Sequence, residues 1–147
     1  PRYITLEILE NLALEHMDQV NDCITQLRAA GFRISMDDFG SGYSSLNTLG
    51  RLKIDELKLD RLFLMGVAKD TEGTQRKIMA SILELAKQLN ISTVAEGVET
   101  QENEQMMAQL SCNYGQGYYY SRPLTTADFK RDFLMPYSMQ MAGATSS

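Results

Sequence analysis

Phe32 to Asp38 reads FRISMDD and runs without a break into FGSGYSS, Phe39 to Ser45. Side chains alternate along an extended chain, so Ile34 and Met36 fall on one face and Ser35 and Asp37 on the other. The run reads as a strand with one apolar and one polar face, closed by two acids and a glycine-bearing loop. Adjacent carboxylates repel unless solvent screens them or a cation lies between them. Taken alone, an Asp-Asp pair before such a loop is more often a turn and helix cap than a metal site. Its role has to be read from the rest of the chain.

The same two-faced pattern recurs. In RYITLEI, Ile4, Leu6 and Ile8 oppose Thr5 and Glu7; in DELKLD, Leu57 and Leu59 oppose Glu56, Lys58 and Asp60. NISTVAE is assigned more by position than by pattern, because Val94 shares a face with Glu96, and the segment around NYGQGYYY completes the set. Helical spacing appears at Ala13, Met17, Val20, Ile24 and Leu27, with Gly31 as the stop. It appears again at Ile78, Ile82, Leu85 and Leu89, stopping near Asn90. Strands that alternate with helices imply an α/β fold of parallel strands with crossover helices, either an open doubly wound sheet or a barrel. Polar faces that carry a charge near their ends favour a barrel, with chemistry at the C-terminal mouth. Glu7, Asp37, Asp38, Lys58, Glu96 and Gln116 all fall at or near strand ends.

Composition narrows the chemistry. The 147 residues are 44% hydrophobic and 22% charged, which suits one globular domain with a sizeable core. A net charge of -5 has the wrong sign for gripping a nucleic-acid polymer by its phosphates. An acidic protein can still handle a small phosphate ester when its carboxylates hold divalent cations. Cys23 and Cys112 lie far apart behind no apolar leader, the pattern of reduced thiols in a cytoplasmic protein. No apolar run approaches the ~20 residues needed to cross a bilayer, so any membrane anchor is expected in another domain of a longer parent. A start at Pro1 directly ahead of a strand also points to an excised piece.

Carboxylates converging with one ammonium make a hard-oxygen site suited to Mg²⁺ or Mn²⁺. A carboxylate between two cations ~3.5–4 Å apart can bridge them, and Asp37 suits that bridge. The lone His16 lies within the first helical pattern, which leaves Ser/His/Asp catalysis without support. Met residues read as packing. At least two of Tyr118, Tyr119 and Tyr120 are expected to pack in the core or at its rim, with stacking on a guanine as the alternative. Phe39 is expected beneath its loop.

These residues resemble the EAL domains, cyclic di-GMP phosphodiesterases that open the cyclic dinucleotide to its linear form, pGpG. LEILE resembles the family's LEITE strand, MDDFGSGYSSL its DDFG(T/S)GYSSL segment and LKLDRLF its LKIDRSF strand, while AEGVET and GQGYYYSRPL follow in the family's order. The resemblance implies that Glu7 and Asp37 bind one metal, with Asp37 bridging to a second held by Asp38 and Glu96. It implies that Lys58 holds the attacking water or neutralises phosphate charge. It marks Glu99 and Gln116 as further site residues and Glu10 as the acid that steadies the DDFG loop. That loop, Phe39 to Ser45, is implied to lie near a homodimer contact. Of the two lysines in RLKIDELKLD, Lys58 is chosen over Lys53 by the family's spacing and, independently, by strand alternation.

Three departures matter. Leu9 and Leu62 stand where the family has threonine and usually serine. The strand bearing the EAL tripeptide itself, whose glutamate ligates metal, is not in this sequence, nor is the later strand with the family's metal-binding asparagine. A complete (β/α)8 TIM-type barrel takes ~250 residues, so residues 1–136 are expected to form a partial barrel of later strands, followed by a loose tail over 137–147. The readings that follow are a metal-dependent phosphodiesterase in the complete parent, a non-catalytic EAL-like receptor or dimerisation module, or an inactive fragment. Unclosed strand edges would also invite pairing with a second copy.

Overall fold

A computed structural model of the chain describes residues 1–10, 15–40 and 46–134. Strands β1 (Thr5–Leu9), β2 (Arg33–Phe39), β3 (Glu56–Leu59), β4 (Ser92–Glu96) and β5 (Tyr114–Gln116) form one sheet. Every pairing is parallel, and the spatial order is the chain order, β1-β2-β3-β4-β5. A doubly wound sheet reverses its strand order at a switch point. This sheet does not, and it runs as an arc of a barrel. The expected tail, 137–147, and loop residues 41–45 lie outside the described residues.

Helices α1 (Met17–Ala29), α2 (Leu46–Arg51), α3 (Arg61–Lys69), α4 (Thr74–Gln88) and α5 (Gln101–Gln109) carry the crossovers. A short α6 (Thr126–Phe129) continues into a π-helical turn, Lys130–Leu134. The core lies between these helices and the outer face of the sheet, where Ile34, Met36, Leu57, Leu59 and Ala95 are buried. On α1 the expected stripe is borne out: Ile24 is buried, and Met17, Val20 and Leu27 pack against the core. Its Ala13 lies outside the described residues. Gly31 ends this segment at φ +93°, a conformation that costs glycine little.

Other expectations need correction. On α4 the buried seam is Met79, Ile82, Leu83 and Ala86, while Ile78 and Leu89 are exposed. The helical spacing of Ile78, Ile82, Leu85 and Leu89 predicts a stripe rotated by about one residue, because Met79 and Ala86 give a weaker hydrophobic signal than isoleucine and leucine. Asp60 does not extend the polar face of β3; it is the N-cap of α3, its carboxylate accepting the Leu62 N–H at 2.7 Å. His16 likewise stands at the N-cap of α1, not within it. Ile4 precedes β1 and is exposed. Tyr118, Tyr119 and Tyr120 are all exposed at the rim, whereas Phe39 is buried as expected.

The join between β2 and β3 departs from regular alternation. Met36 pairs with Leu57 and Phe39 with Leu59, so three steps along β2 match two along β3. This is a bulge, and Asp38 within it has φ +59°, a left-handed conformation that aspartate tolerates better than most residues. Strict alternation would put Phe39 on the same face as Asp37. The bulge instead returns Phe39 to the outer core and leaves two consecutive acids at the mouth.

Candidate metal and phosphoryl-transfer site

The inner face of the sheet carries Glu7, Ser35, Asp37, Lys58, Val94 and Glu96, one pleat removed from the apolar core. Lys58 is the centre. Its Nζ donates to Glu7 Oε1 at 2.9 Å and lies 2.9 Å from Asp37 Oδ1 and 2.7 Å from Glu96 Oε1. Only 9% of the Lys58 side chain is exposed. Burial works to lower its pKa, but the Glu7, Glu96 and Asp37 carboxylates outweigh that and hold the ammonium well above the ordinary lysine value. The group is a permanent cation among acids. Lys53, the rejected alternative, is exposed, and its carbonyl accepts from Arg28 Nη1 at 3.1 Å at the opposite end of β3.

Beside this ammonium, Asp37, Asp38 and Glu96 each offer a carboxylate oxygen within 4.8 Å of the others. The bulge makes this possible by turning both aspartates toward β4. Such a set suits a hard divalent cation. One feature of the structure tests that fit: Asp37 Oδ1 is buried 2.9 Å from Lys58 Nζ, which takes up one of its lone pairs and leaves the other for a cation. A buried acceptor with spare lone pairs is what a ligand oxygen presents. The residues present fit a cation.

The loops after β4 and β5 form the neighbouring wall. The Val98 N–H donates to Gln116 O, and the Tyr119 N–H to Val98 O, both at 3.1 Å. Gly117 allows this approach, since a Cβ there would strike the Val98 backbone. Between the loops is a pocket of about 290 Å³ whose walls include Arg61, Glu96, Glu99 and Gln116. A larger cavity of about 590 Å³ opens beyond Gln116, walled by Tyr118, Arg122, Phe129 and Phe133. The Arg122 guanidinium lies 4.5 Å above the Tyr118 ring.

The structure thus brings Glu7, Asp37, Asp38, Lys58 and Glu96 into one cluster, with Glu99 and Gln116 around the adjoining pocket. Glu10 is buried immediately after β1; the loop it was expected to steady extends into residues that are not described. Sequence reasoning missed Arg61. It stands inside the quoted LKLDRLF segment, but nothing in its spacing reveals that it reaches the loop after β4.

Comparison with known proteins finds relatives over most of the chain. The EAL domain family matches residues 1–123. The bifunctional diguanylate cyclase/cyclic di-GMP phosphodiesterase MucR of Pseudomonas aeruginosa is 41% identical over 124 residues, which are 84% of this chain and 18% of that protein. The solved structure of the PaMucR phosphodiesterase in complex with c-di-GMP superposes with a TM-score of 0.79 at 40% identity, covering 88% of this chain and 51% of that one. The manganese/cy-diGMP complex of Klebsiella pneumoniae BlrP1 gives a TM-score of 0.74 at 34% identity, covering 81% of this chain and 30% of that one. The chain therefore spans about a fifth of the curated relative's length and about half and a third of these two solved chains.

Proposed function

The chain belongs to the EAL domain family, and we propose that it supplies the later-strand half of a metal-dependent active site that hydrolyses cyclic di-GMP to linear pGpG. One observation carries the reading: a buried lysine within 2.9 Å of carboxylates from three strands, two of which, Asp37 and Glu96, converge with Asp38 at the C-terminal end of a parallel sheet. Glu7, Asp37, Asp38 and Glu96 are the proposed ligands, for Mg²⁺ or Mn²⁺. The bound ions would supply an acidified water and charge stabilisation at phosphorus.

The chain's own residues have separate tasks. Lys58 keeps a positive charge beside the ligands and sets the carboxylates apart before any ion arrives, which favours negative charge developing on a phosphate oxygen. Glu99 and Gln116 face the pocket where the phosphodiester would lie. The aromatic cavity beyond Gln116 suits a purine base. Partial membership of a barrel is also part of the proposal: β1 and β5 each have one paired edge among the described residues, and a further segment or a second copy would cover the others. Among the described residues no helix is long and apolar enough to cross a membrane.

The test is incubation of the intact protein with cyclic di-GMP and Mn²⁺, followed by chromatography for pGpG. Appearance of pGpG, abolished by Asp37→Asn, is expected. Tight binding of cyclic di-GMP with no product would replace the enzyme reading with a receptor. Neither binding nor turnover would remove both.

A further inference from the structure

Arg61, the first residue of α3, makes two contacts with the loop after β4. Its aliphatic stem lies against Gly97, where φ is +69° and an added Cβ would run into the arginine's Cβ, Cγ and Cδ. Its guanidinium Nη1 is 3.1 Å from Glu99 Oε1. Both groups line the pocket that Glu96 and Gln116 share. Asp60 fixes the start of α3 by accepting the Leu62 N–H, so the arginine projects from a capped helix end adjoining the strand that carries Lys58.

We infer that Arg61 is a positioning residue, a strut from the β3–α3 junction that aims the Glu99 carboxylate at the pocket beside Glu96. The stem supports the loop at Gly97 and the guanidinium sets the direction of Glu99. The pair is too exposed to hold the fold together, with 53% and 41% of the two side chains in contact with solvent, and such pairs add little to stability. Orientation is what it can contribute, and misplacing a reacting or binding group by an ångström can cost ~100-fold in rate. The strut rests on the phosphodiesterase reading for its consequence in catalysis, but not for its geometry.

The experiment compares the intact wild-type protein with Arg61→Met, which keeps the stem and removes the charge, with Arg61→Lys, with Glu99→Gln and with the Arg61→Met/Glu99→Gln double variant. With cyclic di-GMP and Mn²⁺, Arg61→Met should lower kcat roughly tenfold or more while KM and the melting temperature stay close to wild type. Arg61→Lys should recover part of the loss. The double variant should be no worse than Glu99→Gln alone, because the arginine acts through the glutamate. Wild-type kcat in Arg61→Met, or losses that multiply in the double variant, would overturn the inference. A wild-type protein without turnover would instead count against the phosphodiesterase reading. In that case hydrogen exchange at the Val98 amide decides in Arg61→Ala, which removes the stem as well: faster exchange than wild type supports the strut, and unchanged exchange overturns it.

Discussion

Lys58 Nζ lies 2.7 Å from Glu96 Oε1, although the strand register sets Lys58 beside Val94 and not beside Glu96. The lysine stem therefore runs along the inner face past Val94 and delivers its charge toward the mouth. An apolar residue on an otherwise polar face, which weakens the pattern of NISTVAE as a strand, has a physical use here. Val94 is buried and is the register partner of Lys58, which sets an apolar side chain beside the methylene stem.

Replacing Lys58 with Met should preserve that packing and remove only the charge. Turnover is expected to fall by ~10²–10³, the scale for losing one preorganised electrostatic group. Divalent-ion binding should survive, since the carboxylates remain and the competing ammonium is gone. Steady-state kinetics with Mn²⁺ titration by calorimetry checks both halves. Retained turnover would remove Lys58 from the proposed chemistry.

Asp38 combines a left-handed backbone with a carboxylate in the cluster, and two variants separate these features. Asn tolerates positive φ and carries no charge, so Asp38→Asn should melt near the wild-type temperature without metal and gain less stability when Mn²⁺ is added. A β-branched residue is poorly suited to that conformation, so Asp38→Val should melt lower even without metal. A saturating ligand at ~100 times its Kd adds about 2.7 kcal/mol to a native state that binds it. Thermal melts with and without Mn²⁺ would read the difference. An equal metal-induced rise in wild type and Asp38→Asn would exclude Asp38 as a ligand.

Alternation was sufficient to place Glu7, Asp37 and Lys58 on one face, because each sits in a regular strand with apolar neighbours at the second positions. It also separated Lys58 from Lys53. The bulge at Asp38 was not legible from alternation, since an extra residue in one strand is defined only by its partner, and Phe39 consequently changes faces. The α4 seam was misplaced because Met79 and Ala86 pack as well as the more strongly hydrophobic Ile78 and Leu89 would. Arg61 could not be found because its partners belong to a loop more than thirty residues away, brought near only when β3 and β4 pair.

Asp70 supplies a pH-dependent contribution far from the mouth. Desolvation tends to raise its pKa, but backbone N–H groups of Arg76, Gln75, Gly73 and Glu72 donate to its carboxylate and hold it below the ordinary aspartate value. A depressed folded-state pKa means stability that is present above the unfolded value of ~3.9 and lost as pH falls through the folded value. Asp70→Asn should therefore melt below wild type at pH 7, and the gap should narrow below about pH 4. Melts across pH 3 to 7 would test it; a gap of constant size would mean that the charge of Asp70 does not secure the start of α4.

The strongest stability effect away from the mouth is expected where β4 meets β5. Thr93 is 2% exposed. Its N–H and Oγ1 both donate to Asn113 Oδ1, at 2.9 and 3.0 Å, and Oγ1 accepts the Asn113 N–H at 3.1 Å. Thr93→Val keeps the shape and removes the hydroxyl, leaving the Asn113 N–H without its acceptor, so it should cost about 1–3 kcal/mol. Asn113→Ala should cost at least as much, because it removes the one oxygen to which both the Thr93 N–H and the Thr93 hydroxyl donate. These groups lie on the outer face of the sheet, opposite Lys58 and Glu96, so kcat per folded molecule should stay unchanged in Thr93→Val. Urea unfolding with parallel kinetics reads both quantities. Loss of kcat without loss of stability would mean that this outer network, and not the inner face alone, sets the geometry at Glu96.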